Sequence, residues 1–318
     1  MRLRGDHHQP QLLRCRFYRQ GIQTGSGFEE CGEASFGKSI QAVICRVKII
    51  ISHDVDHLYP SDHWNDLIFP KLWIRSTLEL VRGKINLQTW GYRLISIFQK
   101  RLNRIPEVAQ FDQENGIPSE FFFGMDNALG LSYKQQKAKY WIEFLDQKGF
   151  GVGVHGINFV DYEKIKNEFN DFKKISGIDS FGIRMHYVRS NESTLKNLSK
   201  TGYHFDTTDF NKEKVDLKSP YKIASMWEFP LHIMDNYIMA KGLNAAQEQT
   251  IESLTMADKL KLPYFTILFH DYLFNSKTYP KYKEWYIWLI CYLKSENYLF
   301  ISYKEAITEL DNLKSNPQ

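Results

Sequence analysis

From residue 42 onward, short apolar runs alternate with longer amphipathic stretches. Ala42–Ser52 (AVICRVKIIIS) is rich in β-branched residues and reads as a buried strand. Ser119–Met125, Gly151–His155, Ser180–Arg184, Tyr203–Asp206, Trp227–Leu231, Tyr264–His270 and Tyr298–Ser302 read as further strands. Helical spacing falls between them. His63–Arg82 and Thr89–Asn103 hold helices broken at Gly83. Tyr133–Lys148 ends at Gly149, and Asp161–Ser176 starts on Asp161 as N-cap. Glu192–Thr201, Asn244–Leu262 (closed by Pro263), Pro280–Glu296 and Lys304–Lys314 complete the set.

Strands that alternate with helices predict a parallel sheet covered by helices. The count fits one α/β domain, a distorted TIM-like (β/α) barrel of seven or eight strands spanning 46–314, better than two domains. Residues 58–118 form a long excursion between the first two strands, placed to cover the barrel mouth. No repeat, linker or low-complexity tract interrupts the pattern.

Composition changes this picture at one end only. The chain has 318 residues, 43% hydrophobic and 25% charged, which excludes collagen, wholesale disorder and a disulfide-built miniprotein. The net charge of +4 is too small and too dispersed to suggest a nucleic-acid partner. No apolar run approaches the ~20 residues of a membrane span, so no stable membrane insertion is expected. Residues 1–45 differ from the rest, with five arginines against a single lysine. They carry no motif and no signal-peptide core, and are expected to be a disordered, dispensable leader, with the protein cytoplasmic. Cys15, Cys31, Cys45 and Cys291 lack metal spacing and are expected as free thiols.

Ionisable residues collect where the predicted strands end: Ser52-His53-Asp54-Val55-Asp56-His57, Gly124-Met125-Asp126, Val154-His155-Gly156, Arg184-Met185-His186, His204-Phe205-Asp206, Leu231–Asp235 and Phe269-His270-Asp271. In a parallel barrel these ends share the face where catalysis is built. One carboxylate and two imidazoles suit a divalent ion such as zinc, leaving a position open for water. A second carboxylate can take that water's proton, and a separate histidine can protonate a leaving group. His57, His63 and His204 read more readily as hydrogen-bonding residues. Asp126 and Asp206 read as turn or cap residues, and Tyr187, Trp227 and Trp64 as wall or core. Gly151–Gly156 satisfies G-x-G-x-x-G, but it lies in a strand rather than opening a helix, so a dinucleotide site is dismissed.

The motif Ile51–Asp56 (ISHDVD) resembles the first motif of the polysaccharide deacetylase (NodB-homology) superfamily, carbohydrate esterase family four, in its divergent HDVD form. GVGVHG (151–156), GIRMHY (182–187), WEFPLHIMD (227–235) and Leu268–His270 resemble the second to fifth motifs, in family order. The resemblance implies that Asp54 is the general base, Asp56 and His155 are metal ligands, Arg184 orients the base, Asp235 supports the site and His270 is the catalytic acid. Where the family has its second metal histidine, this chain has Phe159. His186 is therefore taken to complete the metal triad, with His57 as the competing ligand. Asp271 stands where the family has proline.

The resemblance further implies a zinc-dependent hydrolase that removes an N-acetyl group from an amino sugar, nucleotide sugar or glycan precursor in surface polysaccharide metabolism. The partner is then a carbohydrate substrate; oligomeric state is left open. The alternatives are a catalytically degenerate glycan-binding barrel and an amide hydrolase for a non-sugar substrate.

Overall fold

The computed structural model describes residues 46–315, apart from residues 65 and 129. The expectations for 1–45, and for Cys15, Cys31 and Cys45, lie outside the described residues.

The chain runs β1 (Lys48–Val55), α1 (Ile68–Val81), α2 (Leu87–Leu94), α3 (Ile105–Asn115), β2 (Glu120–Phe123), α4 (Gln135–Asp146), β3 (Gly151–Gly156), α5 (Tyr162–Ser176), β4 (Ile183–Met185) and α6 (Thr194–Thr201). It continues with β5 (Phe205–Asp206), β6 (Tyr221–Ile223), β7 (Met226–Glu228), β8 (Ile233–Met234), α7 (Asp235–Ile238), α8 (Leu243–Lys259), β9 (Tyr264–Leu268), α9 (Pro280–Ser295) and α10 (Tyr303–Ser315). Asp161 caps α5 as expected, its side chain accepting from the N–H groups of Glu163 and Lys164.

One sheet holds all nine strands in the order β6-β7-β5-β4-β3-β2-β1-β9-β8. Every pairing is parallel except β6 with β7. β7 and β8 are two pieces of one bent stretch. Its first half pairs with β5 and its second with β9. Between them Phe229 N–H donates to the Asp206 carbonyl (2.9 Å), Leu231 N–H to Asp209 (2.8 Å) and His232 N–H to Thr266 (3.2 Å). Pro230, which has no N–H to give a ladder, sits where the stretch changes partners. This stretch carries the curled sheet from one edge to the other. The fold is the expected distorted α/β barrel, with β6 as an antiparallel addition.

Two layers of packing follow from the period of two along a strand. Ile49, Ile51 and Val55 face outward into the main core under the helices. Ile50 faces inward and packs with Phe122, Phe205, Trp227, Tyr264 and, from α10, Tyr303, Ala306 and Ile307. This inner cluster fills the end of the sheet where the strands begin. The opposite end, reached by Asp54 on the same inward face, is left for polar groups.

Two expectations are corrected. Tyr298–Ser302 supplies only an isolated bridge, Ile49 to Phe300, because the chain touches β1 for one residue before α10 starts. α3 and β6 were not foreseen. Cys291, on α9, is disulfide-bonded rather than a free thiol.

Candidate metal centre and active site

β1 delivers Ser52 and Asp54 to the interior, and Asp56 follows just past its end. β3 and β4 are in register with His155 opposite Arg184, so the two side chains share a face. After β4 the backbone turns through left-handed conformations at Tyr187 (φ 59°) and Val188 (φ 46°). Such a conformation is strained for a β-branched valine and persists only where surrounding structure imposes it. The turn begins at His186, whose ring faces His155.

Asp56, His155 and His186 offer ligand atoms that all lie within 4.8 Å of one another. Asp56 Oδ1 is 3.3 Å from His155 Nε2 and 3.5 Å from His186 Nδ1. That oxygen is buried and has no hydrogen bond of ordinary geometry among the described residues. His155 Nδ1 donates to the Arg184 carbonyl (3.0 Å), so Nε2 carries the lone pair, which lies 3.0 Å from His186 Nδ1 within the cluster. Burial would push the Asp56 carboxyl up, but His155, His186 and His270 outweigh it and hold it well below the usual carboxylate range. A buried anionic oxygen and an imidazole lone pair on one point suit a divalent cation.

Asp54 lies beside this cluster, its Oδ2 3.8 Å from His155 Nε2. Its Oδ1 accepts from Arg184 Nη1 (2.8 Å). Arg184 is fully buried; it also donates to Ser52 Oγ (2.7 Å) and the Thr207 carbonyl (3.2 Å) and lies over the Phe122 ring. Burial opposes ionisation of Asp54, yet Arg184, with His155 and His270, keeps its carboxyl below the ordinary value.

His270, just past β9, has Nε2 3.7 Å from Asp56 Oδ2. Its Nδ1 is 2.9 Å from Asp235 Oδ2. Burial alone would lower its pKa, but Asp235, with Asp56 and Asp54, raises it to about 10.

All five residues that face the reaction space, Asp54, Asp56, His155, His186 and His270, line one cavity of about 450 Å³. Arg184 and Asp235 stand behind the groups they hold. His57 also lines the cavity but is not grouped with the cluster: its Nδ1 is 3.1 Å from His63 Nε2, and His63 Nδ1 is 2.6 Å from Asp66. Of the two candidates, His186 is the one grouped with Asp56 and His155. Phe159 packs against the main core with Arg189 over its ring.

His204 is exposed, and Asp126 accepts from Asn158 at the surface. Asp206 is buried and accepts from Thr208. The excursion supplies a wall of the cavity through Phe69, Leu72, Arg75 and Arg93, and Tyr272 completes it near His57 and His270. None of these five side chains lies on a strand, so strand ends do not reveal them.

Known structures share this arrangement of elements. A Mycobacterium smegmatis protein assigned to the polysaccharide deacetylases is 15% identical with a TM-score of 0.55, over 85% of this chain and 91% of its own. An allantoinase, PuuE, is 12% identical with a TM-score of 0.53, over 83% and 90%. No protein-family model matches the chain, and no curated protein matches it significantly. At these identities the likeness is one of fold: the chain has the curled, mostly parallel α/β sheet found in polysaccharide deacetylases.

Proposed function

We propose that the protein is a metal-dependent hydrolase of amide bonds that removes an N-acetyl group from an amino sugar or glycan precursor. The carrying observation is the convergence of Asp56, His155 and His186 between an arginine-held carboxylate and a carboxylate-held imidazole in one cavity. Asp56, His155 and His186 would hold the ion. A divalent cation there supplies Lewis acidity, drawing charge from an amide carbonyl oxygen.

The chain's own residues do the rest. Asp54, kept ionised by Arg184, accepts a proton from the attacking water at Oδ2. His270, kept protonated by Asp235, donates from Nε2 to the departing nitrogen. Water and amide become acetate and a free amine.

The experiment is acetate release from N-acetylated sugars with and without added zinc, for wild type and Asp54→Asn. Zinc-dependent release lost in the variant supports the reading, and release unaffected by both refutes it. The likeness to an allantoinase favours a second reading, hydrolysis of a non-sugar amide. Activity on allantoin with none on acetylated sugars would select it.

A further inference from the structure

The excursion that walls the cavity also presents an unusual outer face. α1 buries Phe69 and Ser76 on its inner side. At 100° per residue, Ile74, Leu78 and Val81 fall on the opposite side within an arc of about 60°. They are 65%, 48% and 80% exposed. Trp64 and Leu67, just before the helix, are also exposed. Large apolar side chains aligned in water mark an interaction surface rather than chance exposure.

A second row runs beside the first. Lys71, Arg75 and Arg82 occupy the next ~40° of the helix surface, and Lys84 follows the helix end. The only acid of α1, Glu79, bonds Arg75 (2.9 Å) as well as the buried Arg93, so the row's net positive charge comes from Lys71, Arg82 and Lys84. Lys71 and Arg75 line the cavity together with Ile68 and Leu72. An aliphatic stripe bordered by cations therefore lies along the rim of the cavity.

The occupant must satisfy both rows. A second copy docked face to face would bring two cationic rows together. Residues 1–45 carry six cations against four acids and have the wrong sign to neutralise it. A glycan would call for a row of aromatic platforms, and the stripe offers Ile, Leu and Val with Trp64 alone at its end. An anionic lipid surface meets both demands, taking the aliphatic side chains below its headgroups and the lysine and arginine among its phosphates. No helix among the described residues is long and apolar enough to cross a membrane, and α1, about 21 Å long, would lie in the surface plane.

We propose that the outer face of α1 docks this protein on an anionic bilayer surface, with the mouth of the cavity held at the headgroup level. This does not depend on which bond the site breaks.

The test is sedimentation of the full chain with vesicles of mixed phosphatidylglycerol and phosphatidylcholine, against vesicles of phosphatidylcholine alone. Wild type should bind the anionic vesicles, more weakly at high salt. The triple change Ile74→Ser, Leu78→Ser, Val81→Ser should weaken binding at least about tenfold. Arg82→Glu, which touches neither core nor cavity and guards against misfolding of the triple variant, should weaken it about fivefold or more. Circular dichroism and melting should be unchanged in both. Equal binding to both vesicle types, or binding undiminished in both variants, would overturn the proposal. So would a wild-type dimer in sedimentation velocity, abolished by the triple change, in a protein that ignores vesicles.

Discussion

Asp235 grips His270 twice, at the backbone N–H (2.6 Å to Oδ2) and at Nδ1 (2.9 Å to the same oxygen). One carboxylate thus fixes both the position of the histidine and the charge on its ring. Asp235→Asn keeps the shape and removes the charge. The His270 pKa should fall from about 10 toward its ordinary 6.5, and the alkaline limb of the pH–rate profile should move down with it. Turnover at pH 8 should drop about 30-fold, following the fraction of ring left protonated at a pKa near 6.5. Acetate release followed across pH checks this, and an alkaline limb that stays in place would remove His270 as the acid.

The same pair links pH to folding. The folded-state value of His270 lies above its ordinary 6.5, so the folded state binds the proton more tightly. That stabilisation is complete below about pH 6.5 and is lost as pH rises to about 10. In chelator-treated protein, the stability advantage of wild type over His270→Gln should therefore shrink by a few kcal/mol across that window. Urea unfolding at several pH values measures it; an advantage that grew with pH would show the ring to be neutral in the fold.

Metal loading separates the histidines. His155→Ala and His186→Ala should each weaken zinc binding at least about 100-fold, since each removes one of three ligand atoms. His57→Ala should bind zinc as wild type does, because its ring is engaged by His63. Calorimetric titration of metal-free protein decides between them. Tight binding retained in His186→Ala and lost in His57→Ala would reverse the assignment.

The residues of this site were legible in the sequence to the extent that strands carry them. Asp54, His155 and His270 sit at or just past strand ends, where parallel topology forces them onto one face. His186 also falls at a strand end, but its role as a ligand came from its place in the third motif; no periodicity announces the left-handed turn at Tyr187 and Val188 that follows it. The excursion's place over the cavity and Tyr187 on its wall were legible, but the contacts that hold the wall were not. Arg93 reaches the Thr278 carbonyl and Arg104 N–H reaches Asp271 across long separations in sequence, contacts that no local spacing encodes. α3 holds the partner of His53, Asp112, 59 residues away in sequence.

His53 shows how a motif residue can be structural. It alternates with Ser52 and Asp54 along β1, so its ring points outward into the core. There Nδ1 donates to the Phe269 carbonyl (2.7 Å) and Nε2 lies 2.9 Å from Asp112, which also accepts from Ser119 and Tyr286. His53→Ala leaves that buried carboxylate short of a partner and should cost about 2–4 kcal/mol of stability. Zinc affinity should be unchanged. Paired denaturation and calorimetry check this, and a loss of metal without a loss of stability would place His53 in the site instead.

Arg184 and Asp54 form the reverse case, a buried ion pair serving the chemistry. Arg184→Met removes the one cation that, among the described residues, is hydrogen-bonded to the Asp54 carboxylate, and leaves it in a low-dielectric interior. The expected cost is about 3–5 kcal/mol. Asp54 sits below its ordinary value in the folded state, so the pair stabilises at neutral pH and its contribution is lost as pH falls through the acid range. The variant should therefore lack that part of the acid destabilisation. Arg184→Lys should recover little, because one ammonium cannot span Asp54, Ser52 and the Thr207 carbonyl together. Adding Asp54→Asn to Arg184→Met should restore much of the stability, by removing the stranded charge, while leaving hydrolysis abolished. Urea unfolding and acetate release on the four proteins separate the two roles, and a double variant as unstable as Arg184→Met alone would mean the arginine acts through packing on Phe122 rather than through Asp54.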